Sequence, residues 1–352
     1  MKKTIGLVGL ALCLAVSGCA GAQQREAEAG GGSDCPVEVD TTFTGEARIA
    51  FQHLASGDLI VKDRGWLESC LPEGTITWSK ADSGGTVVRN FGANAIDLGL
   101  IGSSPATRVL SAPLNAEVDV KVIWVQDVIG AAESLVARDS SITSLGGLNG
   151  KTIAVPFAST AHYSLQAALT RANMLTGADA PTLLNLEPDA MLAAWQRDEI
   201  DAAWVWDPVL TELKANGTVV LTAEQTADEG APTYDLSAAT TSFVEANPGF
   251  MKTWTALQDL AITEIKDNPD AAAESMAAEL GIASDQVKAM MANYNYLSAA
   301  EQAGDKYLGG GLGADLFKTA DFLVSQGEIE AAASEADYAA ALYADGAASV
   351  GS

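Results

Sequence analysis

Two hydroxyl side chains, Ser159 and Thr160, stand between a predicted strand and a predicted helix. Residues 152–157 are mostly β-branched or apolar, which predicts a short buried strand, and a helix is predicted from Ala161 onward. Thr160 suits the N-cap, with Ser159 one residue outside it. The free N–H groups and positive dipole end of such a helix can bind a small anion. Alternatively the hydroxyls only cap the helix, and this stretch alone favours that simpler interpretation.

The same arrangement occurs earlier in the chain, where Gly102, Ser103, Ser104 and Pro105 follow a strand predicted over 96–101. Ser104 suits the N-cap and Pro105 the first helical position. Neither turn has a glycine-rich phosphate loop or a Walker lysine, so a nucleotide ligand is not indicated. If the two turns face each other, both helix N-termini point at one small anion.

Histidine and cysteine side chains are too few and too scattered to predict catalysis or a metal site. The chain has two histidines, His53 and His162, and neither has an evident triad partner. No Cys/His cluster has the spacing of zinc ligands. These observations predict a binding protein that needs no catalytic residue, metal or cofactor.

The chain is strongly acidic, with 46 Asp and Glu against 20 Lys and Arg and a formal net charge of −26. This charge argues against nucleic acid or an anionic membrane surface as a partner. It does not forbid a small anionic ligand, because helix ends and hydroxyls inside a closed cleft can outweigh a distant field.

Residues 1–19 have the pattern of a bacterial lipoprotein signal peptide. Two lysines precede an apolar run that ends at Val16-Ser17-Gly18-Cys19, a lipobox-like sequence in which Val16 replaces the usual leucine. We therefore expect a lipidated Cys19 and an extracytoplasmic body anchored to the cell membrane, with an ordinary cleaved signal peptide as the alternative. Residues 20–45 lack periodicity and predict a flexible tether with a reach on the order of 25–30 Å.

The cysteines suggest one disulfide bond. Cys13 lies in the signal peptide and Cys19 is the lipidation site, which leaves Cys35 and Cys70 in an oxidising compartment. An even pair there predicts a bond between the end of the tether and the first lobe, although spacing also allows two unrelated thiols.

The mature body of roughly 310 residues is large for one hydrophobic core, so two lobes are predicted. Strands alternate with helices, which predicts an α/β fold of mainly parallel sheets flanked by helices. We assign residues 46–137 and 242–352 to the first lobe and residues 138–241, including the crossover segments, to the second. Ligands of such sheets bind beyond the carboxyl ends of the strands.

Short motifs occur in a consistent order over most of residues 48–326, at 101–105, 150–164, 193–197, 200–201, 205–206, 230–235 and 296–297. They resemble the substrate-binding proteins of ABC importers for sulfonates, nitrate and thiamine precursors. The run Ala154-Val-Pro-Phe followed by Ser-Thr-x-His-Tyr-Ser looks specific to the taurine group of that family. The resemblance implies a two-lobed clamp of the periplasmic-binding-protein type II that closes over one ligand. It also implies a monomer that works with an ABC permease and ATPase.

The resemblance implies a polar site that binds the sulfonate group of the ligand. The implied site residues are the hydroxyls of Ser103, Ser104, Ser159 and Thr160, with Gln52 at the end of the first strand and His162 and Tyr163 in the same helix motif. In the simpler interpretation, Gln52 only closes a strand end and His162 only faces the interior of a lobe.

The remaining implied residues are Trp206, which would wall the pocket, and Asp235, which would face the ammonium group of the ligand. Alternatively, Trp206 is an ordinary residue of the hydrophobic core and Asp235 caps a turn. The chain also departs from the family in two places. Residues 52–57 lack the Gly-Pro-Asp-type run after the glutamine, and Asp207 stands where the taurine group has a small residue. Asp207 would favour a more cationic ligand, unless it points away.

The sequence therefore predicts an extracytoplasmic substrate-binding lipoprotein that binds taurine or a similar small aminosulfonate. The alternative is a binding protein for an alkanesulfonate, nitrate or a thiamine precursor. A thiamine-precursor enzyme on the same fold would need a reactive lysine, cysteine or histidine in the cleft, and neither Cys35 nor Cys70 lies in a candidate site segment.

Overall fold

A computed structural model describes residues 35–350 of the chain. The predicted signal peptide, the lipidation site Cys19 and most of the predicted tether lie outside the described residues. None of the described helices combines the length and the apolar composition that a membrane-spanning helix requires.

The described chain first forms strands and helices of one sheet. The strands are β1 (Glu46–Phe51), β2 (Thr75–Lys80), β3 (Leu98–Gly102) and β4 (Val120–Ile129), and the helices are α1 (Gly57–Asp63), α2 (Trp66–Cys70), α3 (Gly84–Gly92) and α4 (Ser103–Val109). Helices α1 and α2 are separate because Gly65 adopts a left-handed conformation (φ 58°) between them.

A second sheet and its helices follow. The strands are β5 (Glu133–Ala137), β6 (Thr152–Val155), β7 (Thr182–Asn185), β8 (Ala202–Trp206) and β9 (Thr218–Thr222), and the helices are α5 (Thr160–Arg171), α6 (Pro188–Gln196), α7 (Val209–Lys214) and α8 (Ala223–Asp228).

The chain then returns to the first sheet. Its last strands are β10 (Tyr234–Thr240) and β11 (Tyr294–Asn295), and the helices are α9 (Thr241–Ala246), α10 (Pro248–Asp267), α11 (Pro269–Leu280), α12 (Ser284–Met291), α13 (Ala299–Gln302), α14 (Gly311–Ser325), α15 (Glu335–Ala340) and α16 (Ala344–Ser349).

Each sheet is mixed: β1, β2 and β3 are parallel in the first and β6, β7 and β8 in the second, and all other neighbouring pairs are antiparallel. The first sheet has the order β11-β4-β10-β3-β1-β2, and the second has the order β7-β6-β8-β5-β9. β10 runs antiparallel to β3 and β4, and β5 runs antiparallel to β8 and β9. Residues 134–137 were expected in the first lobe and residues 234–240 in the second, whereas the structure puts β5 in the second sheet and β10 in the first. The alternation of strands and helices does not reveal which sheet a strand joins.

Two separate hydrophobic cores define two lobes. The first lobe is the first sheet with its helices, and its core includes Trp124 and Trp254 in an edge-to-face contact with ring centroids 6.3 Å apart. The second lobe is the second sheet with its helices, and its core includes Ile153, Leu165 and Trp204. Aromatic and aliphatic side chains of this size dominate the burial that stabilises each lobe.

A disulfide bond and a buried polar network reinforce the first lobe. Cys35 and Cys70 are bonded, with their Cα atoms 4.8 Å apart, so the start of the described chain is tied to α2. In α1, the Asp58 carboxylate accepts a hydrogen bond of 2.7 Å from Gln258 Nε2. Burial raises the pKa of Asp58 to about 7, although this hydrogen bond favours the ionised form.

Candidate functional site

A narrow cavity lies between the two lobes, with about 10 Å³ of water-accessible space, roughly the room of one water molecule. It occurs where β1 and β3 end, opposite the beginning of α5. The lining residues come from both lobes and are Gln52, Leu54, Gly84, Gly102, Pro105, Glu133, Ser159, Thr160, Trp206 and Asp235.

The lobes touch each other around this cavity. Ser83 Oγ in the first lobe donates a hydrogen bond of 3.2 Å to Glu187 Oε1 in the second. Gly102 also packs directly against the beginning of α5, because a Cβ atom placed on it would lie 2.6 Å from Thr160 Cγ2. Glycine is therefore required at position 102 for the approach of the two lobes.

Helix α5 presents its N-terminus to the cavity, with a cap that differs from the expected one. Ser159 is the N-cap, since its Oγ accepts a hydrogen bond of 3.1 Å from the His162 N–H and donates one of 2.6 Å to the Pro156 carbonyl. Thr160, the expected cap, is the first helical residue instead. Its hydroxyl donates a hydrogen bond of 2.5 Å to Glu133 Oε1.

The turn before α4 also differs from its prediction. Gly102 is the N-cap, Ser104 lies inside the helix, and Pro105 is the third helical residue and not the first. Ser103 Oγ accepts a hydrogen bond of 3.2 Å from the Tyr234 N–H, which fixes the start of β10. Ser104 Oγ is buried and has no partner among the described residues. Neither serine lines the cavity, which Gly102 and Pro105 border in this segment.

His162 and Tyr163 point away from the cavity. The His162 ring stacks on Phe157 at a centroid distance of 4.5 Å, and its Nδ1 lies 3.5 Å from Glu328 Oε1. Burial and the nearby Arg108 guanidinium lower the pKa of His162 to about 4, so the ring is neutral at physiological pH.

Tyr163 lies with its phenol ring edge-on to Phe322 of α14, at a centroid distance of 5.3 Å. Burial raises the pKa of the phenol. The helix turns about 100° per residue, so side chains two and three residues after Thr160 leave the cavity side. Both residues therefore pack α5 against the first lobe and do not border the cavity.

Gln52 and Trp206 lie in the cavity wall, whereas Asp207 does not. Gln52 Nε2 donates a hydrogen bond of 3.0 Å to the Leu100 carbonyl. Trp206, at the end of β8, is 7% exposed and borders the cavity with its side chain. Asp207 Oδ1 accepts hydrogen bonds from the Thr211 N–H (2.9 Å) and hydroxyl (2.7 Å), so this carboxylate caps α7.

Three buried acids gather at the strand crossings. Asp235 lies on β10 directly opposite Asp127 on β4, and Glu133 begins β5 opposite Trp206. Burial raises the pKa of Asp235 to about 7. Burial, with the charge of Asp235 nearby, raises the pKa of Glu133 to about 8 and that of Asp127 well above its usual value. Asp235 was predicted from the sequence, whereas Asp127 and Glu133 were not. The pattern that could have indicated them is an acidic residue within a strongly apolar run.

This arrangement suits a small molecule with an anionic end and a cationic end. The N-terminus of α5 favours negative charge, and the carboxyl groups of Asp235 and Glu133 favour a cation. Within residues 35–350, no group of three or more His, Cys, Asp and Glu side chains is arranged to hold a metal ion.

Two α/β lobes that are joined by two strand crossings and enclose a small polar cavity define a ligand-binding clamp of the periplasmic-binding-protein type. The chain belongs to the NMT1/THI5-like family, whose sequence model matches residues 83–272. The chain is 33% identical to the "Taurine-binding periplasmic protein" of Escherichia coli (strain K12) over 267 residues, which cover 74% of this chain and 81% of that protein. The resemblance that the motifs indicated is confirmed.

Solved structures share the fold. The alkanesulfonate-binding protein SsuA from Xanthomonas axonopodis pv. citri, bound to MOPS, superposes with a TM-score of 0.68 at 21% identity and covers 87% of this chain and 99% of its own. The periplasmic aliphatic sulphonate binding protein SsuA from Escherichia coli has a TM-score of 0.66 at 21% identity, with 83% and 91% coverage. The predicted two-lobed α/β clamp is confirmed.

Proposed function

We propose that this protein is the substrate-binding component of an ABC importer and that it binds a small zwitterionic aminosulfonate such as taurine between its lobes. The observation that carries the proposal is the cavity, which combines the N-terminus of α5 with the buried carboxyl of Asp235. The sulfonate would lie at the N-terminus of α5, where backbone N–H groups of the first helical turn can donate to it, and the ammonium group at Asp235. The name of the Escherichia coli relative supports this ligand.

The protein binds its ligand without catalysing a reaction. The residues that line the cavity include no lysine, cysteine or histidine, the reactive side chains that a thiamine-precursor enzyme on this fold would need. The relatives named above are binding proteins, which supports the same conclusion. No cofactor is needed for this function.

Isothermal titration of the purified protein with taurine, ethanesulfonate, nitrate and thiamine tests the ligand class. We expect taurine to bind most tightly, because it alone carries both charges that the cavity complements. Tighter binding of ethanesulfonate, nitrate or thiamine would replace taurine with the corresponding alternative ligand. If none of the four ligands produces a heat of binding, the proposal is contradicted.

Closure over the ligand should depend on Gly102. Gly102→Ala is expected to weaken taurine binding about 5- to 150-fold, the equivalent of ~1–3 kcal/mol of overpacking, since the new methyl group meets Thr160. Gly92→Ala is the matched control, because a Cβ atom there has no neighbour within 4 Å. Both variants are measured by titration, and unchanged affinity in Gly102→Ala would contradict the contact described here.

The protein is also proposed to be a monomeric lipoprotein, with residues 1–19 as signal peptide and the residues between Cys19 and the disulfide-bonded Cys35 as tether. The lipid on Cys19 would hold it to the outer face of the cell membrane, near its permease and ATPase. Cys19→Ala is expected to release it from membranes, because one residue carries the acyl chains. The readout is the fraction in the membrane pellet after a salt wash, with Cys13→Ala as control, and a variant that remains in the pellet would contradict lipid anchoring.

A further inference from the structure

We propose that the ammonium group of the ligand binds between two carboxyl groups, one from each lobe, and that Glu133 is therefore a specificity-determining residue together with Asp235. This inference rests on the proposed function, since it concerns the cationic end of the same ligand. Asp235 alone would bind the ammonium group from the first lobe, and the inference adds Glu133 of the second lobe as a second partner.

Both carboxyl groups border the same cavity. Glu133 is 3% exposed and begins β5 of the second sheet, and Asp235 is 6% exposed and lies on β10 of the first. They are close enough for the charge of Asp235 to raise the pKa of Glu133. A group bound between them would contact both lobes.

Glu133 has one oxygen that the protein leaves without a donor. Its Oε1 accepts the hydroxyl hydrogen of Thr160, whereas its Oε2 is buried and has no hydrogen-bond partner among the described residues. A buried carboxylate oxygen without a donor costs free energy unless a proton or a cation satisfies it. No lysine or arginine lines the cavity to do so.

The surroundings of the two acids add further acceptors. Asp127 lies opposite Asp235, and both of its carboxylate oxygens are buried without a partner among the described residues. Tyr294 and Tyr296 are the other titratable groups whose pKa values respond to these acids, and Tyr296 donates its hydroxyl hydrogen to the Ala55 carbonyl. A primary ammonium group supplies one positive charge and three N–H donors to such a set of acceptors.

Because one acid lies on each lobe, binding of the ligand ammonium group favours closure of the two lobes. With an ammonium group between them, Glu133 and Asp235 are both attracted to the same centre as the lobes meet. Without it, two like charges face each other across the closing cavity, or both must take up protons. The ligand class that follows is the primary aminosulfonates, with rejection of ligands whose nitrogen carries no hydrogen.

The test compares taurine and ethanesulfonate on three proteins by titration. Glu133→Gln keeps the shape of the side chain and removes its charge. It is expected to weaken taurine binding about tenfold or more and to change ethanesulfonate binding by less than about threefold. Glu187→Gln is the matched control, since Glu187 accepts a hydroxyl hydrogen from the other lobe but lies outside the cavity, and it should leave the ratio of the two affinities unchanged.

A second measurement needs no variant. The unchanged protein is expected to bind N,N,N-trimethyltaurine far more weakly than taurine, because the quaternary nitrogen keeps the charge and has no N–H donor. The inference is overturned if Glu133→Gln leaves the ratio of taurine to ethanesulfonate affinity unchanged, or if trimethyltaurine binds like taurine. If the unchanged protein binds neither taurine nor ethanesulfonate, the proposed function itself fails.

Discussion

Asp235→Asn is expected to weaken taurine binding by about 2–5 kcal/mol, or ~30- to ~5,000-fold, and to leave ethanesulfonate binding unchanged or tighter. The substitution keeps the shape of a side chain that is 6% exposed in the cavity wall and removes its negative charge. The ammonium group of taurine would then lose its partner in a site that excludes water. Ethanesulfonate has no amine, so the loss of a nearby negative charge does not weaken its binding. Titration with both ligands separates the two effects.

Asp207→Asn is the control for this experiment. Asp207 is an equally buried acid next to the cavity, but its carboxylate caps α7 through Thr211. Removing that charge should lower stability by about 1 kcal/mol and leave the ratio of taurine to ethanesulfonate affinity unchanged. A selective loss of taurine in Asp207→Asn would transfer the role to that residue. Equal losses of both ligands in Asp235→Asn would mean that Asp235 only shapes the strand crossing.

The ligand-free protein is expected to lose stability as the pH rises from about 5 to 8. Burial raises the folded-state pKa of Asp58 and Asp235 to about 7 and of Glu133 to about 8, whereas unfolded carboxyls titrate near pH 4. Between these values the folded state holds protons that the unfolded state has released. Each such acid therefore lowers the free energy of unfolding by about 1.4 kcal/mol per pH unit, until the pH passes its folded-state pKa.

His162 acts in the opposite direction at lower pH, because its pKa is lowered to about 4 and the unfolded ring takes up a proton below about pH 6.5. Denaturation with urea at pH 6.5, 7.0, 7.5 and 8.0 keeps this contribution small, at roughly 0.4 kcal/mol for pH 6.5 and less above it. Asp58→Asn is the informative variant, since Asp58 lies in the first lobe outside the cavity lining and its loss should flatten the slope where Asp58 titrates. Stability that is constant or rises over this range would contradict the assignment of these acids.

Sequence patterns predicted the elements better than the directions of their side chains. The buried strand at 152–157, the hydroxyl turn after it and the helix that follows are all present, with the strand ending at Val155. His162 and Tyr163 belong to the same motif but leave the cavity side, because the rotation of a helix decides which residues face a partner lobe. A motif indicates that residues occur together, and only the packing of α5 shows which of them border the cavity.

Glu133 illustrates a second limit. An acid at the head of the apolar run Glu-Ser-Leu-Val-Ala predicts a buried strand with an unusual first residue, and nothing local indicates which lobe the strand joins. The chain crosses between the sheets just before this residue, so the acid lies at the cavity between the lobes. Asp235 could be found because its motif resembled a known family, whereas Glu133 and Asp127 needed the pairing of β5 with β8 and of β4 with β10.

The two chain crossings between the lobes are adjacent, so the second lobe can be treated as an inserted domain. The Ile129 N–H donates a hydrogen bond of 3.1 Å to the Thr233 carbonyl, so the chain leaves the first lobe and re-enters it at neighbouring positions. A segment whose ends are adjacent can be excised, grafted or replaced with little demand on the host, as in natural domain insertions. A fluorescent protein or the second lobe of a relative could therefore be spliced between these two residues, which makes this junction the place to build a sensor or a chimera.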